Sequence, residues 1–295
     1  ASAAMTTRRL RILHFNDVYD AAMAPRFVEA LQQCGRASDP PLVLFSGDCF
    51  APSLMSVTTH GSQMPPLLNL CGVAAACLGN HELDFGLSRC GELISRCSFP
   101  WLVSNADLKA SGEALGGSEV LRSTIIEHEG IKVGLLGLIE REWLSTLATL
   151  SEEEVAWSDF VLAARELCAL LRSQGAEVVI ALTHMRLPND ERLASLVPEL
   201  DLVLGGHDHD RCVLRAEGSR RVPIVKSGTD FREFSEVILA VGEGECEGEP
   251  LFRLASVSRV EVAADGAVHP EAASIVAEFN ASIASRMSEP VGRTA

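Results

Sequence analysis

Five short groups of residues of the types that ligate metal ions are spread along the chain, and each group follows a short apolar segment. They read Asn16-Asp17, Gly47-Asp48, Gly79-Asn80-His81-Glu82, Thr183-His184 and Gly205-Gly206-His207-Asp208-His209. The apolar segments have the length and composition of buried β-strands. In a sheet crossed by helices, the loops at the carboxyl ends of the strands converge on one crevice. The sequence therefore predicts that the five groups form one polynuclear metal site.

Each group has a plainer interpretation when it is taken alone. Asp48 follows Gly47, which lets the backbone turn and aim a carboxylate that can bridge two cations, but Gly-Asp is equally common in turns and helix caps. Asn16-Asp17 is a common turn pair. A single histidine at a strand end, such as His184, is more often a hydrogen-bonded core residue. The coincidence of five groups in the same position relative to their strands favours metal ligation.

The pair His207 and His209 flanks Asp208. In extended backbone, residues i and i+2 face the same side, so both imidazoles are expected to reach one site. Asp208 should then face away, where it could orient an imidazole. Asn80 and His81 are adjacent, so one is expected to ligate while the other faces the substrate.

The composition limits the class of protein. The chain has 295 residues, of which 47% are hydrophobic, enough for one large domain or two small ones. A formal charge of −15 argues against nucleic-acid binding, which needs many Lys and Arg contacts to phosphate. It does not exclude a small phosphorylated substrate, because bound cations reverse the local field. No segment approaches the roughly 20 apolar residues of a membrane span, so no membrane partner is expected.

The amino-terminal segment and the cysteines predict a location. Residues 1–11 lack the apolar core of a signal peptide. The nine cysteines form no Cys-x-x-Cys pair and suit a reducing compartment. We therefore expect a cytoplasmic protein, while secretion of a longer precursor stays open. Cys49 adjoins Asp48 but is a minor candidate ligand, because hard metal sites prefer oxygen and nitrogen.

Strand-like and helix-like segments alternate along most of the chain, and strands follow one another from about residue 222. The expected helices lie near residues 24–35, 64–72, 86–97, 156–173, 190–197 and 270–287. The pattern favours an α/β fold of two sheets packed face to face with helices outside. We expect a catalytic domain at residues 5–268, followed at residues 269–295 by a helix and a linker.

The motifs, read in order, resemble the amino-terminal catalytic domain of the 5′-nucleotidase family, one of the calcineurin-like metallophosphoesterases. The resemblance covers about residues 9–262 and is carried by Leu13-His14-Phe15-Asn16-Asp17, Ser46-Gly47-Asp48, Gly79-Asn80-His81-Glu82-Leu83-Asp84, Thr183-His184 and Gly205-Gly206-His207-Asp208-His209. It implies a four-layer αββα sandwich of two mixed sheets flanked by helices, and a metal-dependent phosphoric ester hydrolase.

The resemblance also implies residue roles. One metal would be held by Asp17, Asp48 and His209. Asp48 would bridge to a second metal, which Asn80, His184 and His207 would also hold. His81, paired with Asp84, would be the catalytic histidine.

Two departures from the family pattern matter. The family commonly has histidine two residues after the first aspartate, where this chain has Tyr19, its single tyrosine. Either a water or the Tyr19 hydroxyl could fill that ligand position. The chain also stops soon after Glu289-Pro290-Val291-Gly292, which resembles the linker to a carboxyl-terminal, nucleotide-specificity domain. That domain is expected to be absent here, and whether the chain is a truncated form or a natural single-domain member stays open.

The expected reaction is hydrolysis of a phosphate ester by a hydroxide bridging two divalent cations, with His81 and Asp84 assisting the leaving group. The mixed oxygen and nitrogen donors suit Mn, Zn, Fe or Co. Arg141 and Arg186 are weak candidates for binding the phosphate, and Lys226 is a weaker one. Asn189 and Asp190 are expected to cap a helix.

Three functions remain open from the sequence. The favoured one is a phosphomonoesterase acting on nucleotides or another small organic phosphate. The second is a phosphodiesterase or nucleotide-sugar pyrophosphatase that uses the same metals. The third, of another class, is a metal-binding scaffold whose catalysis has lapsed through Tyr19; retention of His81 and Asp84 speaks against it.

Overall fold

Two mixed β-sheets face each other in a computed structural model that describes residues 8–36, 39–215, 222–241 and 252–288. Fifteen strands lie within these residues: β1 (Arg9–Phe15), β2 (Leu42–Phe45), β3 (Val73–Cys77), β4 (Trp101–Leu102), β5 (Ala106–Leu108), β6 (Val120–Leu121), β7 (Ser123–His128), β8 (Ile131–Ile139), β9 (Val155–Trp157), β10 (Val178–His184), β11 (Leu202–Gly205), β12 (Arg211–Arg215), β13 (Pro223–Ser227), β14 (Glu233–Val241) and β15 (Phe252–Glu261).

Seven α-helices connect or cover these strands within the same ranges. They are α1 (Ala24–Gly35), α2 (Leu54–Thr59), α3 (Met64–Leu70), α4 (Leu87–Ile94), α5 (Phe160–Ser173), α6 (Leu187–Leu196) and α7 (Pro270–Met287). The first turns of two of these helices are stabilised by capping side chains. Asp159 caps α5 by accepting the Val161 N–H at 2.9 Å, and Ser53 caps α2 by accepting the Ser56 N–H at 3.0 Å. None of the helices in the described ranges is both long and apolar enough to cross a bilayer.

The strand order places the ligand groups side by side. One sheet has the order β15-β14-β1-β2-β3-β4-β6, the other β12-β13-β11-β10-β8-β7, and β5 pairs with β9 separately. Strands β1, β2 and β3 are mutually parallel, as are β8, β10, β11 and β13. The carboxyl ends of the parallel strands in each sheet therefore lie at one edge, as the sequence predicted.

Burial explains the sequence pattern of the central strands. All seven residues of β10 are buried, because a parallel strand in the middle of this fold is covered on both faces. The first core lies between the sheets and beneath α1, α3, α4 and α7, and the second lies between the outer face of the β8–β10–β11 sheet and helices α5 and α6. The four-layer arrangement expected from the sequence is confirmed.

The two sheets approach closely at Gly137 of β8. A Cβ atom there would collide with the Leu102 carbonyl of β4, and the Ser104 N–H donates to the Gly137 carbonyl at 2.7 Å. Only glycine fits this crossing without displacing backbone. The contact fixes the separation of the sheets near the edge at which the ligand groups lie.

Candidate metal centre

The ligand groups of both sheets are joined by hydrogen bonds at their common edge. The Asp17 N–H donates to the Gly47 carbonyl at 2.9 Å, which links the loops after β1 and β2. The Gly206 N–H donates to the Thr183 carbonyl at 2.8 Å in the other sheet. The Ser46 hydroxyl donates to the Leu204 carbonyl at 2.7 Å and so connects the two sheets. The loops therefore form one structure.

Several of the candidate ligands have left-handed backbone. Asp17 (φ 54°), Asp48 (φ 66°), His207 (φ 79°) and His209 (φ 61°) all have positive φ. Such conformations are uncommon outside glycine and cluster at functional sites, where the surroundings enforce them. The expectation that His207 and His209 share a face through extended backbone is therefore wrong. They lie in a tight loop, in which the His207 N–H donates to Asp17 Oδ2 at 2.8 Å.

Donor atoms of Asp48, His184 and His207 lie within 4.8 Å of one another. His184 Nε2 is 3.1 Å from Asp48 Oδ2, and its Nδ1 lies 2.7 Å from the Ser46 carbonyl, which accepts the Nδ1 proton. Asn80 Oδ1 is buried and accepts no hydrogen bond from the described residues. One carboxylate and two imidazoles this close together are donors of the types that a divalent cation prefers, and the unsatisfied Asn80 oxygen lies on the loop whose His81 N–H bonds Asp48. These residues therefore fit a metal ion.

The charges of this group are strongly coupled. Burial opposes ionisation of Asp48, but the neighbouring His184 and His81 lower its pKa to about 2. Burial opposes protonation of His184, but the Asp48 and Asp17 carboxylates raise its pKa to about 10. In the metal-free protein, the adjacent carboxylates therefore favour the protonated form of His184.

A second group of donors surrounds the Tyr19 hydroxyl. The hydroxyl oxygen lies 3.0 Å from Asp17 Oδ1, 3.0 Å from Asp48 Oδ2 and 2.9 Å from His209 Nε2. His209 Nε2 is also 3.3 Å from Asp17 Oδ1. The structure thus brings together the side chains of five of the six residues that the resemblance named as ligands, with Asp48 shared between the two groups. The sixth, Asn80, lies on the loop whose His81 N–H bonds Asp48.

His81 and Asp84 form a pair at the mouth of the site. His81 Nδ1 is 2.8 Å from Asp84 Oδ2, and the His81 N–H donates to Asp48 Oδ1 at 2.8 Å. Burial opposes the charge, but the bond to Asp84 and the charge of Asp48 raise the pKa of His81 above its ordinary value. Because Nδ1 is engaged by Asp84, Nε2 is the nitrogen that can face a substrate.

Glu82 fixes the loops that carry Asp48 and Asn80. Its carboxylate accepts the N–H groups of Gly79 at 2.6 Å, Cys49 at 2.7 Å and Asp48 at 2.9 Å. Burial and the charge of Asp48 raise its pKa, while these backbone bonds favour the ionised form. The sequence motif contains Glu82, but no role was predicted for it. Its position three residues after Gly79 was the available signal, because that spacing is typical of a capping residue.

Glu140 is a second residue that sequence reasoning missed. It follows β8 directly and is buried, with Oε1 3.4 Å from His207 Nε2. Its Oε2 accepts the Arg186 N–H and the Asn189 amide, both at 2.8 Å. Burial opposes ionisation, but bonds from His207, Arg186 and Asn189 lower its pKa to about 2. An acidic residue at the carboxyl end of a buried strand was the signal that could have found it.

Lys226 supports the histidine loop from beneath and does not face the crevice. It is buried, and its ammonium group lies 2.8 Å from both Asp190 Oδ2 and Asp208 Oδ2. It also donates to the Gly206 carbonyl at 2.6 Å and the Met185 carbonyl at 2.8 Å. The hypothesis that Lys226 binds phosphate is therefore wrong. Asp208 faces away as predicted, but its partners are Lys226 and the Leu187 N–H at 2.9 Å.

The remaining polar candidates lie around the rim. The expectation that Asn189 and Asp190 cap a helix is wrong: both lie within α6, where Asp190 accepts the Thr183 hydroxyl at 2.7 Å. The Arg141 side chain is exposed and pairs with Glu152 at 3.0 Å. Arg186 is also exposed, with Nε 3.8 Å from Glu140 Oε1. Of the two arginines, Arg186 is thus the one that lies near the site, because its neighbour Glu140 contacts the candidate ligand His207.

Facing mixed sheets with a cluster of oxygen and nitrogen donors at their shared edge are the arrangement of a metallophosphoesterase fold. Residues 10–211 match the family model for calcineurin-like phosphoesterases. The chain belongs to the calcineurin-like phosphoesterase family, as the motifs predicted.

Similar proteins include 5′-nucleotidases. That of Diplobatis ommata is 24% identical over 329 residues, which cover 97% of this chain and 54% of that protein. That of Mus musculus is 27% identical over 241 residues, covering 74% of this chain and 41% of that protein. The chain thus spans about half or less of the length of these relatives.

Solved structures show the same fold. A 5′-nucleotidase precursor from Thermus thermophilus matches with a TM-score of 0.80 and 18% identity, covering 97% of this chain and 61% of that one. The calcineurin-like phosphoesterase YfkN from Bacillus subtilis matches with a TM-score of 0.75 and 17% identity, covering 96% of this chain and 100% of that one.

Proposed function

We propose that this chain hydrolyses phosphate monoesters, of nucleotides or of another small organic phosphate, with two divalent cations bound around Asp48. The observation that carries the proposal is the convergence of two donor groups on this one buried carboxylate, beside the His81–Asp84 pair. Family membership and the 5′-nucleotidase relatives support a metal-dependent phosphoric ester hydrolase. Manganese, zinc, iron or cobalt suits the mixed donors.

The roles of the chain's own residues follow from their positions. Asp17, Asp48 and His209 would hold one cation, and Asp48, Asn80, His184 and His207 the other. When bound, such a pair supplies an activated water and positive charge that orients and neutralises the phosphate. Glu82 keeps the Asp48 loop in place, and Glu140 lies where it can orient His207.

His81 would act on the leaving group. Asp84 holds its imidazole by Nδ1, so that Nε2 can donate a proton to the departing alcohol oxygen. The hydrogen bond from Nδ1 to Asp84 favours the protonated imidazole that a proton donor requires. Arg186, at the rim near Glu140, is placed to contact a phosphate oxygen, whereas Arg141 is the weaker candidate because Glu152 already pairs with it.

A cleft of about 470 Å³ beside Tyr19 is the place we propose for the organic part of the ester. Its lining combines the apolar residues Leu54, Met55 and Ile283 with the polar residues Asp20, Asp230 and Asn280. Apolar walls with a few polar groups suit a small organic group better than a long polymer. Replacement Asn280→Ala should raise KM for a nucleoside monophosphate and leave KM for p-nitrophenyl phosphate unchanged.

The test combines metal analysis with a substrate panel. Metal-depleted protein reloaded with Mn²⁺ or Zn²⁺ should cleave nucleoside monophosphates and p-nitrophenyl phosphate. A preference for bis-p-nitrophenyl phosphate or a nucleotide sugar would favour the diesterase or pyrophosphatase alternative. Metal-loaded protein that cleaves none of these substrates would favour the scaffold alternative.

Two variants separate the residue roles. His81→Ala should lower kcat by about 10²-fold or more while metal content stays the same. Asp48→Asn should instead deplete both cations, since both groups share it. His128→Ala is the matched control, because His128 bonds the Pro40 carbonyl and belongs to neither donor group. Loss of metal from His81→Ala, or full metal content in Asp48→Asn, would contradict the assignments.

A further inference from the structure

The two donor groups around Asp48 differ in how closely their atoms are drawn together. Among the described residues, the set whose carboxylate and imidazole donors all lie within 4.8 Å of one another is Asp48, His184 and His207. The donors of Asp17, Asp48 and His209 lie instead 2.9–3.0 Å from one common point, the Tyr19 hydroxyl oxygen. A Zn²⁺-sized ion contacts its oxygen and nitrogen ligands at about 2.0–2.2 Å, so two donors on one ion are at most about 4.4 Å apart. The second set must contract before it can hold a cation.

The Tyr19 hydroxyl is what lies between these three donors. It is 2.9–3.0 Å from one atom of each, which is the distance of a hydrogen bond and not of a metal bond. Tyr19 is held there by burial, and its ring packs edge-on against His81, with centroids 5.7 Å apart. A hydroxyl in this position keeps the donors of Asp17, Asp48 and His209 farther apart than they would be around a cation.

We propose that the Tyr19 hydroxyl competes with a cation for the position between Asp17, Asp48 and His209. The chain then binds one divalent cation tightly through Asp48, Asn80, His184 and His207. The second cation binds more weakly, and only as the hydroxyl withdraws from its three partners. This inference rests on the proposed function, which supplies the two cation positions. It adds the order in which the two positions fill and the difference between their affinities.

The first test is calorimetric titration of the metal-free protein with Zn²⁺, with bound metal counted after dialysis at fixed free Zn²⁺. The wild-type chain should bind one Zn²⁺ tightly and a second at least about tenfold more weakly. A tenfold difference in affinity corresponds to the free energy of one or two hydrogen bonds. Tyr19→Phe removes the hydroxyl and should tighten the second equivalent about tenfold, leaving the first unchanged. Tyr19→His, which adds an imidazole, should bring the two affinities close together.

His209→Ala assigns the weak step to its donor group. It should abolish the second equivalent and leave the first intact. A second measurement needs no variant, because Tyr19 is the single tyrosine of the chain. Tyrosine labelled with ¹³C at Cζ, the carbon that carries the hydroxyl, therefore gives one NMR signal, which should shift mainly as the second equivalent of Zn²⁺ is added.

The outcomes distinguish this inference from the proposed function. Weaker binding of the second ion by Tyr19→Phe would mean that the hydroxyl is a ligand, and would overturn the competition. Two equivalents of equal affinity in the wild-type chain, or completion of the tyrosine shift at the first equivalent, would overturn it as well. In these cases the proposed function stands. If the wild-type chain binds no Zn²⁺, both proposals fail together.

Discussion

Glu82 offers a measurable test of how the Asp48 loop is held. Replacement by glutamine keeps the size of the side chain but leaves one acceptor oxygen in place of two. The amide oxygen can take the position of Oε2 and keep the N–H groups of Asp48 and Gly79. The new NH₂ group then faces the Cys49 N–H, which loses its acceptor.

The cost can be worked out from these three bonds. One buried N–H without a partner costs about 1–3 kcal/mol, and the other two bonds weaken because they are no longer assisted by charge. Glu82→Gln should therefore lower the free energy of unfolding of the metal-free protein by about 2–4 kcal/mol. Because Asp48 and Asn80 lie on the two loops that Glu82 joins, cation affinity should fall as well.

Urea unfolding of the metal-free protein is the assay, with Zn²⁺ titration as the second measurement. Glu127→Gln on β7 is the matched control, since the Glu127 side chain is exposed and its loss should change stability by less than about 0.5 kcal/mol. A Glu82→Gln variant as stable as this control, with unchanged cation affinity, would refute the reasoning.

Three further predictions concern the supports of the site. Lys226→Met should lower the unfolding free energy by about 3–5 kcal/mol, because it leaves the buried Asp190 carboxylate without its ion-pair partner. The double variant with Asp190→Asn should recover part of this loss in the same urea assay. Burial and the charge of Lys226 lower the pKa of His14 to about 3. The stability that the neutral His14 contributes is therefore complete above about pH 6.5 and is lost as the pH falls below that value. The loss amounts to up to about 1.4 kcal/mol per pH unit. Unfolding of the wild type and His14→Gln between about pH 7 and pH 5 should show this difference in slope, and parallel curves would contradict it. Gly206→Ala places a Cβ 2.5 Å from the Ser46 carbonyl and should lower the melting temperature and cation affinity, whereas Gly91→Ala, whose nearest contact is 3.8 Å, should leave both unchanged or slightly improved.

The ligand-bearing strands could be predicted because each is short, apolar and followed by a polar group. Strand β1 (Arg9–Phe15) ends directly before Asn16-Asp17, and α1 and α7 match their expected ranges. Hydrophobic period and flanking turn residues determine such elements locally. The short helix α2 was missed because two of its apolar side chains, Leu54 and Val57, are exposed and give no amphipathic pattern.

The supports of the site could not be predicted because they depend on contacts between distant segments. Nothing near Lys226 in the sequence indicates that Asp190 and Asp208 will close around it. Glu140 acquires its role only when β8 and β10 pair in parallel, which brings Arg186 and Asn189 to its carboxylate. The left-handed backbone of His207 and His209 is likewise imposed by the loop around Asp17 and Gly206, and not by the residues themselves.

The pairing of β1 has a consequence for the order in which the protein can be completed during synthesis. Strand β1 leads to Asp17 and is hydrogen-bonded to β2 on one side and to β14 on the other. The ion pair between Arg11 of β1 and Glu236 of β14 spans 225 positions of the chain. The first ligand of the site leaves the ribosome early, yet its strand has an unpaired edge until the last third of the domain has emerged. Capture of a metal ion at the full site therefore reports that the sheet has formed from β1 through β14.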